Sequence, residues 1–144
     1  MRLWHQELID KLPRQQLLGQ HRECCALRGK GWGKKHSIVN YVFEYPPVKL
    51  YNYHEKVMLE MLVRGYNPNE RWFDITYRGK NCEPWSADAK TINWTKECHV
   101  SNFDDIVYPE HNQEYLDECV SNLADKGCVC RYFEDEFEQY LNNI

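Results

Sequence analysis

Arg22 and Glu23 stand side by side in Pro13 to Lys30, PRQQLLGQHRECCALRGK, where Glu23 is the single acidic side chain. A carboxylate beside a guanidinium can stabilise a developing positive charge, move a proton and hold a phosphate. The spacing predicts one amphipathic helix over this stretch. At 100° per residue, Leu17, Leu18, His21, Cys24 and Cys25 share one arc with Arg28. Gln15, Gln16, Gly19, Arg22, Glu23 and Ala26 fall on the other. Gly19 lies four residues before Glu23 and Ala26 three after it, so the helical neighbours of the carboxylate are almost without side chain. A glycine inside a helix costs about 1 kcal/mol against alanine. Either a second helix packs closely over Gly19, or the bare surface leaves room for a ligand.

The elements around this helix are legible from their punctuation. Pro13 suits a first helical turn and Gly29 a C-terminal cap. Leu3 and Trp4 are large apolar residues that call for burial, which would anchor the N-terminus and hold its amine in a fixed place. Gly29-Lys30-Gly31-Trp32-Gly33-Lys34-Lys35 lacks the spacing of a nucleotide-binding phosphate loop. It reads as a basic loop contacting a nucleic-acid backbone, with Trp32 able to stack, or as a surface turn with Trp32 folded back. Residues 37–45 fit a short helix or a strand, ended by Pro46-Pro47. Lys49 to Arg64 reads as a second helix capped by Gly65 and Tyr66. His54 in it reads as a surface or packing residue. Residues 67–102 hold most turn signals; Tyr77 to Lys80 is a loop or a second phosphate contact. His111 to Lys126 reads as a third helix and Arg131 to Asn142 as a fourth.

The chain's 144 residues are one domain by length, with 42% hydrophobic residues for a core. The net charge is −4, which excludes a polycation, but the charge is uneven. Residues 1–60 carry ten Lys/Arg against six Asp/Glu, and residues 61–144 carry eight against sixteen. A basic face on an acidic protein can still bind a polyanion. The seven cysteines form no Cys-x-x-Cys pair, so no metal and no cofactor are expected. Without a secretory signal pattern or a membrane-length apolar run, a cytoplasmic protein with free thiols is expected.

QQLLGQHRE, residues 15–23, resembles the corresponding stretch of the pyrimidine-dimer DNA glycosylase family, the phage endonuclease V type. The shared pattern is a Leu-rich turn, an aromatic residue or His, then Arg-Glu, at the same distance from the chain start. Arg64-Gly65-Tyr66-Asn67 is a second match, and YPEH at 108–111 a looser one. The resemblance implies a compact all-α domain of three to four helices with long irregular connections. It also implies a DNA glycosylase with abasic-site lyase activity and no cofactor. Its nucleophile would be the N-terminal α-amine, on Met1, or on Arg2 if Met1 is removed. Glu23 would be the catalytic carboxylate. The DNA-binding set would be Arg22, Gln16, Lys30, Trp32, Lys34 and Lys35. The partner would be double-stranded DNA carrying a damaged or modified base, bound by a monomer without a membrane. The chain departs from the family pattern at Arg2, where a small residue is usual. It also departs at Gln16, which replaces a His, and at Ala26, which replaces an Arg. The alternatives are a non-catalytic nucleic-acid-binding module on the same scaffold, or an interaction protein whose Gly19 face packs another helix.

Overall fold

Prolines start the first two long helices. Pro13 is the N-cap of α1 (Arg14–Arg28), and Pro46 and Pro47 open α2 (Pro47–Val63). A proline at a first helical position gives up an N–H that would have no partner in any case. This moves the start of α2 two residues ahead of the expected Lys49. The computed structural model describes residues 2–34, 39–86 and 106–125. Met1, Lys35 and the helix expected over 131–142 lie outside them. The third long helix, α3 (Gln113–Asp125), falls within the range read from sequence. The fold is all-α, with no strand among the described residues.

Short 3-10 helices supply the rest. Asn40–Glu44 settles the helix-or-strand ambiguity before Pro46. Glu70–Phe73 sits in the turn-rich segment. Gln6–Lys11 follows the irregular residues 2–5 and carries too few residues for a period to reveal it.

Helix ends are closed by identifiable partners. At the end of α2, Tyr66 N–H donates to Met61 O at 2.8 Å and Gly65 N–H to Leu62 O at 3.0 Å. Gly65 takes φ +87° there, the left-handed cap expected from its position. At the end of α1, Gly31 N–H donates to Ala26 O at 2.9 Å. A Cβ on Gly31 would lie 2.7 Å from that same oxygen, so glycine is required for this close approach. Arg78 completes the cap, donating to Arg28 O at 2.8 Å and Gly29 O at 3.0 Å. The Tyr77 to Lys80 turn is therefore a support for α1, and its arginine is engaged in the cap.

α1 packs on α2, and Gln6–Lys11 packs on α2 as well. One buried cluster joins Leu3, Trp4, Leu17, Cys24, Leu27, Tyr53, Val57, Tyr108, Leu116 and Leu123. Leu3 and Trp4 are buried, as their size requires. Beside this cluster His111 is wrapped in rings. It stacks on His5 at 5.4 Å, meets Tyr53 edge-on at 5.7 Å and lies with Nε2 2.8 Å from Tyr41 Oη. Burial pushes His111 down to about 3 and lowers His5 too.

Burial disfavours the protonated form of both histidines in the folded protein, whereas the unfolded chain protonates them near pH 6.5. Above that pH their contribution to stability is complete. Below it the unfolded state gains protons that the folded state refuses, so stability falls. For His111 alone the slope is about 1.4 kcal/mol per pH unit. Urea unfolding between pH 7.5 and 5 should show this decline, and His111→Gln should make it shallower by up to about 1.4 kcal/mol per pH unit, leaving the share of the other histidines lowered by burial; a stability independent of pH in that window contradicts it.

Candidate active site

The N-terminal segment is held at four backbone atoms by side chains from all three helices. Gln20 of α1 donates to Arg2 O at 2.7 Å and accepts from Trp4 N–H at 3.1 Å. Tyr115 of α3 donates to Leu3 O at 2.6 Å. Tyr53 of α2 donates to Trp4 O at 2.6 Å, and its oxygen is also 2.8 Å from Gln20 Oε1. Gln20 and Tyr53 are buried, so these bonds form in a low dielectric and leave little freedom to residues 2–4. The Arg2 side chain is drawn to α3. Its guanidinium lies 5.7 Å from the ring centres of Trp4 and Tyr115 and pairs with Glu118 at 3.3 Å. A large residue at position 2 thus has its own seat.

Glu23 follows Gln20 by three residues, almost one turn, on the same helix. Its Oε2 is shielded from water and has no hydrogen-bond partner among the described residues. A carboxylate oxygen held in that state costs free energy until something bonds to it. One turn earlier Gly19 is open: a Cβ there would meet only Arg22 Nη2, at 4.0 Å. No helix packs over Gly19 among the described residues. Instead, an open depression of about 570 Å³ runs along this face, lined by Arg14, Gln15, Gln16, Leu18, Gly19 and Arg22. Arg14 and Arg22 are exposed, and neither forms an ion pair among the described residues. Arg14 stacks over Tyr66 at 5.7 Å, which steadies one end of the depression. Glu23 is not part of its lining.

The remaining expected contacts divide. Gln16 and Arg22 lie together in the depression. Lys30 and Lys34 are exposed on the loop after α1. Trp32 is half-buried, edge-on to Phe43 at 5.1 Å and to Trp85 at 5.4 Å, so its ring is folded back on the body. Met1 and Lys35 lie outside the described residues. On the inner side of α1, His21 and Cys25 meet His54 of α2, which is fully buried. His54 was expected at the surface or in packing, and Arg28 explains its burial. That guanidinium, itself fully buried, lies 3.0 Å from His54 Nδ1 and donates to Trp72 O, Asp74 O and Tyr77 O. No helix among the described residues is long and apolar enough to cross a membrane.

Gln20, Tyr53, Tyr115 and Arg14 were not singled out by sequence reasoning. The signal for Gln20 was available, because on the helical wheel of α1 it falls between Cys24 and Leu27, two apolar positions at the edge of the core side. A polar residue there must find buried partners. Replacing it by leucine keeps the bulk but strips partners from Arg2 O and Trp4 N–H. Gln20→Leu should cost about 2 kcal/mol and speed exchange of the Trp4 amide at least tenfold by hydrogen exchange; unchanged exchange at Trp4 would show that the clamp does not hold the segment.

Among curated proteins and among solved structures, no match was found. A family model described as pyrimidine dimer DNA glycosylase matches residues 1–74, which carry the N-terminal segment, α1, α2 and the Arg64 to Asn67 cap. With just over half of its length matched, the chain belongs to the pyrimidine dimer DNA glycosylase family.

Proposed function

We propose that this protein removes a damaged pyrimidine from double-stranded DNA and cuts the strand at the resulting abasic site. The nucleophile is the N-terminal α-amine, on Met1, or on Arg2 if Met1 is removed, and Glu23 is the catalytic carboxylate. The observation that carries the reading is the Glu23 Oε2, withdrawn from water and without a partner among the described residues, one turn from the clamp on residues 2–4. Met1 is one peptide beyond Arg2, a Cα separation of about 3.8 Å. A cationic sugar or a protonated amine would supply the partner that Glu23 lacks.

The chemistry follows from the groups. An α-amine has a pKa near 8, so roughly a tenth is neutral at pH 7, against less than a thousandth for lysine. The neutral amine attacks C1′, the C1′–N bond to the base breaks, and the base leaves with a proton. The sugar ring opens to an imine between C1′ and the enzyme nitrogen. The imine acidifies the C2′ proton. Glu23 removes it, and the 3′ phosphate departs by elimination. Water then hydrolyses the imine and frees the amine. Arg22 and Arg14 hold phosphates of the target strand, and Lys30, Lys34 and Lys35 extend the contact along the backbone. Gln16 reaches the same strand from the depression. The open space at Gly19 receives the sugar once the nucleotide has left the stack.

Two measurements test this. With a duplex containing a pyrimidine dimer or an abasic site, Glu23→Gln should lower strand cleavage by 10²- to 10⁴-fold while duplex affinity changes less than threefold. Cleavage at the wild-type rate in Glu23→Gln would remove the carboxylate from the mechanism. Arg14→Ala should weaken duplex binding and reduce the log–log salt slope by about one; an unchanged slope would take Arg14 off the phosphate path.

A further inference from the structure

Arg2 is held from two directions. On its C-terminal side the backbone is fixed, because Gln20 donates to Arg2 O at 2.7 Å and accepts from Trp4 N–H at 3.1 Å. Its side chain is seated on a different element. The guanidinium lies 5.7 Å from the ring centres of both Trp4 and Tyr115 and 3.3 Å from Glu118 Oε1 on α3, and the side chain is 15% exposed. We propose that Arg2 is a positioning residue for the reaction: its seat on α3 aims the N-terminal amine, and Glu118 steadies that seat. This rests on the reading that the amine is the nucleophile.

Stereochemistry links the seat to the amine. Four groups radiate from an L-Cα at nearly fixed angles. Once the directions of the carbonyl carbon and of Cβ are set, the direction of the nitrogen is set as well. At Arg2 the Gln20 bond sets the first and the α3 seat sets the second. The Arg2 nitrogen is then a fixed point, whether it is itself the α-amine or carries Met1. In the second case the planar peptide leaves two soft torsions between that point and the amine. A short side chain at position 2 would reach neither Tyr115 nor Glu118. Rotation about the Cα–C bond would then swing the amine while every backbone bond of the clamp stayed in place.

The parts of the seat differ in firmness. Glu118 is 56% exposed, so its ion pair adds little to folding stability. The rings of Trp4 and Tyr115 are the firmer part, since a guanidinium over aromatic faces is attracted by both. Displacing a nucleophile by about 1 Å can slow a reaction about a hundredfold. A contact of small worth to folding therefore has a large effect on alignment.

The test compares single-turnover borohydride trapping on a saturating abasic-site duplex for the full wild-type chain, Arg2→Met and Glu118→Ala. Methionine keeps position 2 large, so the N-terminus is processed alike in all three proteins, which intact mass verifies. Arg2→Met should lower the trapping rate about tenfold or more, and Glu118→Ala about threefold. Duplex affinity should stay at the wild-type value. Trapping of the same N-terminal amine by a small free aldehyde, which needs no alignment, should be equal in all three. Glu118 is exposed, so Glu118→Ala serves if Arg2→Met fails to fold. Trapping at the wild-type rate in the variants would overturn the positioning role and leave the amine as nucleophile. A fall in trapping matched by a fall in duplex affinity would overturn it too, making Arg2 a DNA contact. An equal fall with the small aldehyde would overturn it by showing that Arg2 acts on the basicity of the amine. A wild-type chain that forms no adduct at the α-amine would sink the underlying reading, and this inference with it.

Discussion

A buried amide controls the geometry of this protein. Gln20 reaches from α1 to the carbonyl of Arg2 and the N–H of Trp4, and Tyr53 and Tyr115 bond the carbonyls between and after them. Chain ends fray by default because few groups hold them. Here each long helix contributes a side chain that bonds the backbone of the same three residues. The constraint also couples elements distant in sequence, since α3 holds Leu3 O through Tyr115 and Arg2 through Glu118. Disturbing any one helix loosens the first residues of the chain.

α1 separates two environments by its two faces. The outer face carries Gly19, Arg22 and the partly shielded Glu23, with Arg14 and Arg22 along the depression outside any ion pair among the described residues. The inner face buries Arg28, whose guanidinium is satisfied by three carbonyls and flanked by the rings of Tyr51 and Trp72. A buried arginine with no carboxylate partner is costly unless such dipoles and ring faces surround it. Those carbonyls come from residues 72–77, so the charge also fixes the loop that returns Arg78 to the end of α1. The helix is thereby held at both ends and along its inner side, while its outer side stays open.

Much of this was legible in the residues. The period of α1 separated Arg22 and Glu23 from the core, the prolines and Gly65 marked helix boundaries, and the size of Leu3 and Trp4 required an anchored N-terminus. Local pattern could not show where long-range hydrogen bonds would form. The turn at Arg78 read as a plain loop or a phosphate contact, and neither reading shows that its target is a helix C-terminus fifty residues earlier. Trp32 looked able to stack, but Phe43 and Trp85 hold its ring. His54 carried no sign of burial because Arg28 lies twenty-six residues away. The glycines around Lys30 looked like flexibility, whereas Gly31 is required by a close backbone approach.

The central claim is that the clamped N-terminus presents its amine to DNA with Glu23 as the partner carboxylate. The most direct measurement is to trap the reaction on an abasic-site duplex with borohydride, digest the adduct and locate the sugar by peptide mass spectrometry. The account predicts attachment to the α-amine of the N-terminal peptide, with intact mass showing whether Met1 or Arg2 bears it. Attachment to the side chain of a lysine such as Lys30 or Lys34, with the α-amine free, would contradict it.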